Sequence, residues 1–400
     1  MNKKKVTIIL MVFIAIFSTF VFVKNNSNFE ITNEINNKSK KNNDLLTMNL
    51  EQTAGTGDYK TVTQSEWPTE GYEFNKELSK CENGSEISWD DTKKVVVVSG
   101  NLSDKCYVYF DIARFDKLCN TSTLACHVAK LYTGTQGENG IYYHNTSLTN
   151  GAGDNNYRYA GANPNNYICL GSDATTCPDD NLFRIIGVFG DKVKVIKDKS
   201  VVKMHWDTSN YNTWSISSLN TYLNGTYLTS MGTLSDKIDV ATWKVGGNTW
   251  DNISVSTAKE VYDYEIKNPS TTASTGETEY SAKIGLMYVS DYMFAVLQDN
   301  WTLVAYNSND ATKDYRAVKA ENWLYLGSDE YTITRSSKYS FEVFAIYSSG
   351  EVYSYSVSCN SDEPLPCSVY AKNARPSFYL ISSVEYSGGT GTSSDPIRIN

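Results

Sequence analysis

From Val6 to Val23 the chain carries no charged residue, and Lys3, Lys4 and Lys5 stand directly before that run. Its eighteen residues span ~27 Å as a helix, close to the ~30 Å of a bilayer's hydrocarbon core. Lysines on that flank stay in the cytoplasm, so whatever follows is exported. A cleavable signal peptide needs a shorter apolar region and a small-x-small cleavage site. Here the run ends Thr19-Phe20-Val21-Phe22-Val23-Lys24, with no such site. The expectation is a cell-membrane protein, single-pass with its N-terminus inside. Residues 1–23 would form the cytoplasmic tip and an uncleaved transmembrane helix, and the bulk of the chain would be extracytoplasmic. No cysteine follows the run closely enough for a lipid anchor, and no second apolar span appears.

Charge agrees with export. Residues 1–41 hold seven lysines against Glu30 and Glu34, a net of +5, while the whole chain is −9. The remainder is therefore −14, which argues against a nucleic-acid partner, since that requires a basic surface. A negative balance also serves solubility alone, so it names no partner.

Eight cysteines fall into four close neighbours: Cys81 with Cys106, Cys119 with Cys126, Cys169 with Cys177, and Cys359 with Cys367. Eight cysteines allow ~105 pairings, among which sequence cannot choose. Sequential pairing is the expectation, because each pair closes a short loop rich in turn residues and an exported chain meets oxidising conditions. Metal binding is the weaker reading. No C-x-x-C occurs, and His127, His144 and His205 are scattered. A redox pair would want the same spacing. Asp173, Asp179 and Asp180 lack the regular ladder of a calcium loop and read as a solvated turn. No metal and no cofactor is expected.

Residues 24–58 are rich in Asn, Lys, Ser, Thr and Gly and read as a flexible stalk. Residues 59–112 read as a small disulfide-stapled β module: Ile87 and Trp89 alternate with polar neighbours, KKVVVVSG (93–100) is β-branched, and CYVYFDI (106–112) alternates again. Residues 113–155 read as a connector with a short helix around Thr123–Leu131. Residues 156–400 read as one domain, ordinary in size. Within it LFRIIGVFGDKVKVIKD gives two strands around a Gly-Asp turn. ISSLNTYLNGTYLTSM places Ile216, Leu219, Tyr222, Leu223 and Tyr227 on one helical face, capped by Ser217 or Ser218. Short strands then follow, with no βαβ rhythm. The expected class is α+β, mostly β.

Four segments carry a resemblance: 165–189, 283–292, ENWLYL (321–326) and 374–399. The most specific part is Arg375-Pro376-x-x-Tyr379-Leu380 followed by Gly389-Thr390-Gly391-Thr392-x-x-Asp395-Pro396. Together they resemble an uncharacterised domain family of surface and pilin-like proteins from low-GC Gram-positive bacteria, over roughly residues 155–400. The stretch 80–110 looks like a small β module that accompanies this domain. More distantly, the C-terminal pattern is similar to C-type-lectin-like and formylglycine-generating-enzyme-like folds, which implies a lectin-like head over 156–400. The calcium-dependent sugar motifs are not matched: Leu365 follows Glu363-Pro364, and Trp250-Asp251-Asn252 has the reversed order. Pro364 and Pro366 between Cys359 and Cys367 point to a stapled tip rather than a copper pair. The prepilin peptidase site with its glutamate is missing.

Chemistry is sparsely marked. The three histidines sit in no triad motif. Gly388-Gly389-Thr390-Gly391 lacks the lysine of a phosphate loop and reads as a turn between strands. Arg375 reads as an internal arginine pairing with a carboxylate. Aromatic content stands out, with 29 tyrosines and eight tryptophans. Tyr353 and Tyr355 share strand parity and so share a sheet face. Exposed Tyr and Trp suit carbohydrate or protein binding, while β proteins also use tyrosine as half-buried core. Trp323, Tyr325, Tyr353 and Tyr355 are the candidate ligand-binding residues, with no catalytic residue assigned. The expected function is a membrane-anchored, non-enzymatic binding or adhesion protein of the bacterial surface. The alternatives are an enzyme on the same fold acting on cell-surface substrates, and a structural subunit of a surface fibre.

Overall fold

The structure, a computed structural model, describes residues 29–31, 45–62, 71–90, 93, 95–101, 103–269, 277–357 and 371–399. The chain divides into two compact units, Met1–Arg114 and Phe115–Asn400.

In the smaller unit the strand Cys106–Ile112 is central. It pairs in parallel with Leu46–Glu51 and antiparallel with Tyr72–Phe74 and Lys80–Cys81, while Tyr59–Val62 lies outside Leu46–Glu51. Alternation explains its placement. Cys106, Val108 and Phe110 are buried and Tyr107, Tyr109 and Asp111 are half-buried on the opposite face. Met48 and Leu50 enter the same core, although composition assigns 24–58 to a stalk. A second sheet orders Phe29–Ile31, Val95–Ser99 and Glu86–Asp90.

The larger unit holds two main sheets. One orders Ile284–Gly285, Ser377–Tyr379, Lys192–Lys197, Leu182–Phe189, Tyr157–Tyr159 and Ile141–Tyr143, with Tyr167–Cys169 also on Leu182–Phe189. Its centre is the hairpin around Gly190-Asp191, where Gly190 takes φ +62°. Gly187, at a bulge in that hairpin, has no room for a side chain: an added Cβ would stand 1.9 Å from the Tyr157 carbonyl oxygen. The other sheet orders Val202–Met204, Lys372–Ala374, Glu330–Ser336, Glu342–Ile346 and Val352–Ser356. The segment read as a connector is core: Leu124, Val128, Ile141 and Tyr143 pack with Ile185, Val195 and Met293. The glycine-rich tail is a turn between the strands Tyr386–Gly388 and Arg398–Ile399.

Two expectations are corrected. The α+β class with a transmembrane helix, an antiparallel module and a lectin-like head gives way to a mostly β molecule with few, short helices, whose smaller unit contains parallel pairs. Among the described residues no helix is long and apolar enough to cross a membrane, which counts against the expected transmembrane helix and single-pass cell-membrane placement. Residues 1–23 lie outside the described residues. Within the described residues length and polarity are the limits: a span needs ~20 apolar residues. The helical run 218–230 is shorter and carries Asn220, Thr221, Asn224 and Thr226.

Three disulfides join Cys81 to Cys106, Cys119 to Cys126 and Cys169 to Cys177. Cys359 and Cys367 fall outside the described residues.

Candidate functional site

The sheet that ends in Val352–Ser356 carries an aromatic face. Register sets Tyr353 opposite Ala345 and Tyr355 opposite Val343. Both tyrosines reach Tyr347, each with ring centroids 5.8 Å away, which confirms their shared face. Tyr306 meets Tyr353 edge to face at 5.3 Å. Tyr353 is exposed, and the other three are half-buried. Cations flank the rings: Lys372 Nζ stands 3.7 Å from the Tyr355 centroid and the Arg316 guanidinium 5.0 Å from Tyr306. Asp329 binds Lys372 Nζ at 2.8 Å and accepts the Ser348 N–H, so the turn beside the face is fixed. Among the described residues this strand is the last of its sheet.

The four candidate ligand residues do not assemble. Tyr353 and Tyr355 belong to the face. Tyr325 is half-buried and its hydroxyl donates to the Ser348 carbonyl, next to Tyr347. Trp323 is buried. Its indole N–H donates to the Tyr159 carbonyl at 3.0 Å, and Arg184 lies 4.7 Å from its ring. Its backbone N–H also bonds Gly161, behind a shallow cleft of about 290 Å³ lined by Asn139, Asn163, Pro164 and Asn165. Tyr306 and Tyr347, absent from the sequence reading, complete the face. Tyr347 lies just beyond the strand Glu342–Ile346 and keeps the parity of Val343 and Ala345, the residues opposite Tyr355 and Tyr353.

A second cluster lies inside the larger unit. Arg158 forms two hydrogen bonds to Asp154, at 2.8 and 2.5 Å, and Tyr262 donates to Asp154 at 2.9 Å. Lys194 Nζ lies 2.5 Å from Asp291 Oδ2. Glu265 accepts from the Thr334 hydroxyl at 2.6 Å and the Ser290 N–H at 3.0 Å. Arg158, Lys194, Glu265 and Asp291 are all buried, so these groups face one another rather than solvent. Burial alone would raise Asp154, but the Arg158 charge outweighs it and holds that carboxyl well below the usual range. Burial lowers Lys194 in spite of Asp291. Burial pushes Glu265 up to about 7, against hydrogen bonds that favour its ionised form.

The native Glu265 carboxyl binds its proton more tightly than the unfolded chain, so its contribution is complete below the unfolded carboxyl's 4.5 and is lost as pH rises through about 7. Glutamine cannot ionise. The stability gained by Glu265→Gln should therefore be ~2–3 kcal/mol larger at pH ~8 than at pH ~5. Urea titrations at the two pH values check it, and an equal effect at both would contradict the shifted carboxyl.

Among the described residues no group of three or more His, Cys, Asp or Glu side chains is placed to hold a metal. Compared with known proteins, the chain matches no protein-family model, and no curated protein or solved structure is significantly similar to it.

Proposed function

We propose that this chain is a non-enzymatic binding protein that engages carbohydrate through the face formed by Tyr306, Tyr347, Tyr353 and Tyr355. The observation that carries this reading is the grouping of four tyrosines, one of them exposed, beside Lys372, Arg316 and Asp329. A flat ring covers the apolar face of a sugar, while phenol hydroxyls and the flanking charges meet its hydroxyl groups. The three disulfides support work in an oxidising setting, where extracellular ligands are met. The titratable groups that cluster are buried, which supports binding over catalysis.

The test is an array of glycans and cell-wall fragments probed with the purified protein. Tyr353→Ala should weaken the captured ligand by ~10-fold or more, a loss of ~1.4 kcal/mol or more. Because Tyr353 is 37 % exposed, the melting temperature should hardly move. Retention of full binding by that variant, or silence across the array, would remove the reading.

A further inference from the structure

Lys194 and Asp291 are 97 residues apart in sequence and meet at the centre of the larger unit. Their side chains are 1 % and 5 % exposed. Aromatic rings wall the ammonium: its nitrogen lies 4.6 Å from the Tyr288 centroid, 5.5 Å from Trp243, 5.6 Å from Phe189 and 5.7 Å from Tyr379. We propose that Lys194 Nζ and Asp291 Cγ become joined by an intramolecular amide bond, formed by the protein itself with loss of one water.

Geometry supplies the approach. Nζ stands 2.5 Å from Oδ2, and Cγ lies one bond beyond that oxygen. The nitrogen is thus at most ~3.7 Å from the carbon it attacks, against ~3–3.5 Å for a reactive approach. Both side chains are held. Asp291 sits in the first turn of the helix Val289–Phe294, and its Oδ2 accepts the Tyr288 N–H at 2.8 Å. Lys194 lies on the strand Lys192–Lys197, paired on both sides. Groups fixed this way react with effective molarities of ~10⁵–10⁸ M, which offsets the disfavoured condensation of a free amine and acid.

Protonation balances without a co-reactant. An ammonium–carboxylate pair and an amine–carboxylic acid pair have the same atoms and the same net charge. One proton passing along the Nζ–Oδ2 hydrogen bond converts the first into the second, and burial favours the neutral amine of Lys194. The amine lone pair then forms the C–N bond, with Oδ2, the oxygen that has taken the proton and is held by the Tyr288 N–H, as the leaving hydroxyl. One amine proton joins the departing hydroxyl, the C–O bond breaks, and water leaves. Nothing is oxidised or reduced. Glu265, buried beside Ser290, feels the charges of both partners and offers an exchangeable proton at neutral pH. The other charged groups nearby, Arg158 and Asp154, are already satisfied by each other.

The experiment is the intact mass of the full chain, followed by tandem mass spectrometry of its digest. The expected mass is one water below that of the disulfide-bonded sequence, with a branched peptide linking Lys194 to Asp291. Lys194→Arg keeps the positive charge but should restore the missing water. Asp291→Asn should lose ammonia in place of water, because the leaving group changes while the bond formed does not. Separate, unmodified peptides containing Lys194 and Asp291 in the parent would overturn the proposal, as would a water loss that maps elsewhere.

Discussion

Arg375→Ala should lower the melting temperature of the larger unit by ~10 °C. Arg375 Nε lies 2.6 Å from Glu330 Oε1, and its Nη2 donates to the Leu324 carbonyl at 2.6 Å. The two side chains are 1 % and 2 % exposed. Truncating the arginine leaves the Glu330 carboxylate buried without its partner, a loss of ~3–5 kcal/mol for pairs of this kind. In a unit of this size each kcal/mol moves the midpoint by ~2–4 °C. The pair itself adds little beyond that mutual dependence, because desolvation consumes most of the Coulomb gain. The double replacement Arg375→Met with Glu330→Gln should accordingly recover much of the loss. Calorimetry of the parent, the single and the double variants decides the matter. A single variant within ~1 °C of the parent would show that the pair is not sealed from water.

Opening Cys81–Cys106 should unfold the smaller unit and leave the larger one intact. The bridge closes 25 residues and joins positions directly opposite on neighbouring strands. Chain entropy assigns such a loop ~3–4 kcal/mol. Among the described residues the core it supports is small, built on Met48, Leu50, Val96, Val98, Val108 and Phe110. A core of that size has little stability to lose. In Cys81→Ala/Cys106→Ala protein, amide hydrogens of 46–112 should exchange freely while those of 182–197 stay protected. Unchanged protection over 46–112 would show that packing alone carries the unit.

Sequence disclosed what is local. The hairpin at 182–197 follows from alternation around Gly190-Asp191, and the pairing of the six described bridged cysteines follows from their nearness. Arg375 meets an internal carboxylate, as a lone arginine in a strand segment would require. What failed to show is non-local. Leu46–Glu51 reads as polar linker because Thr47, Asn49 and Glu51 alternate with its apolar residues, and the partner on its inner edge is a parallel strand sixty residues on. Residues 113–155 read as a connector with a short helix, and the helix Leu124–Ala129 is there, yet Leu124, Val128 and Ile141 are core because the sheet they cover is built later in the chain. Asp154, Arg158, Lys194, Glu265 and Asp291 were invisible as a group, since no periodicity links residues so far apart. Trp323 reads as a candidate ligand-binding aromatic, but its indole N–H has a buried partner in Tyr159, which only the tertiary structure supplies.

The register of Lys194 with Tyr379 also sets a clock. Those positions are 185 residues apart in the chain. A ribosome adding ~5–20 residues per second therefore needs ~10–40 s to deliver the second strand after the first. Throughout that interval Lys192–Lys197 is paired only with Leu182–Phe189, and its other edge is bare, able to capture any extended segment nearby. Slower synthesis prolongs this exposure rather than relieving it, so the nascent chain's need for an escort grows as translation slows.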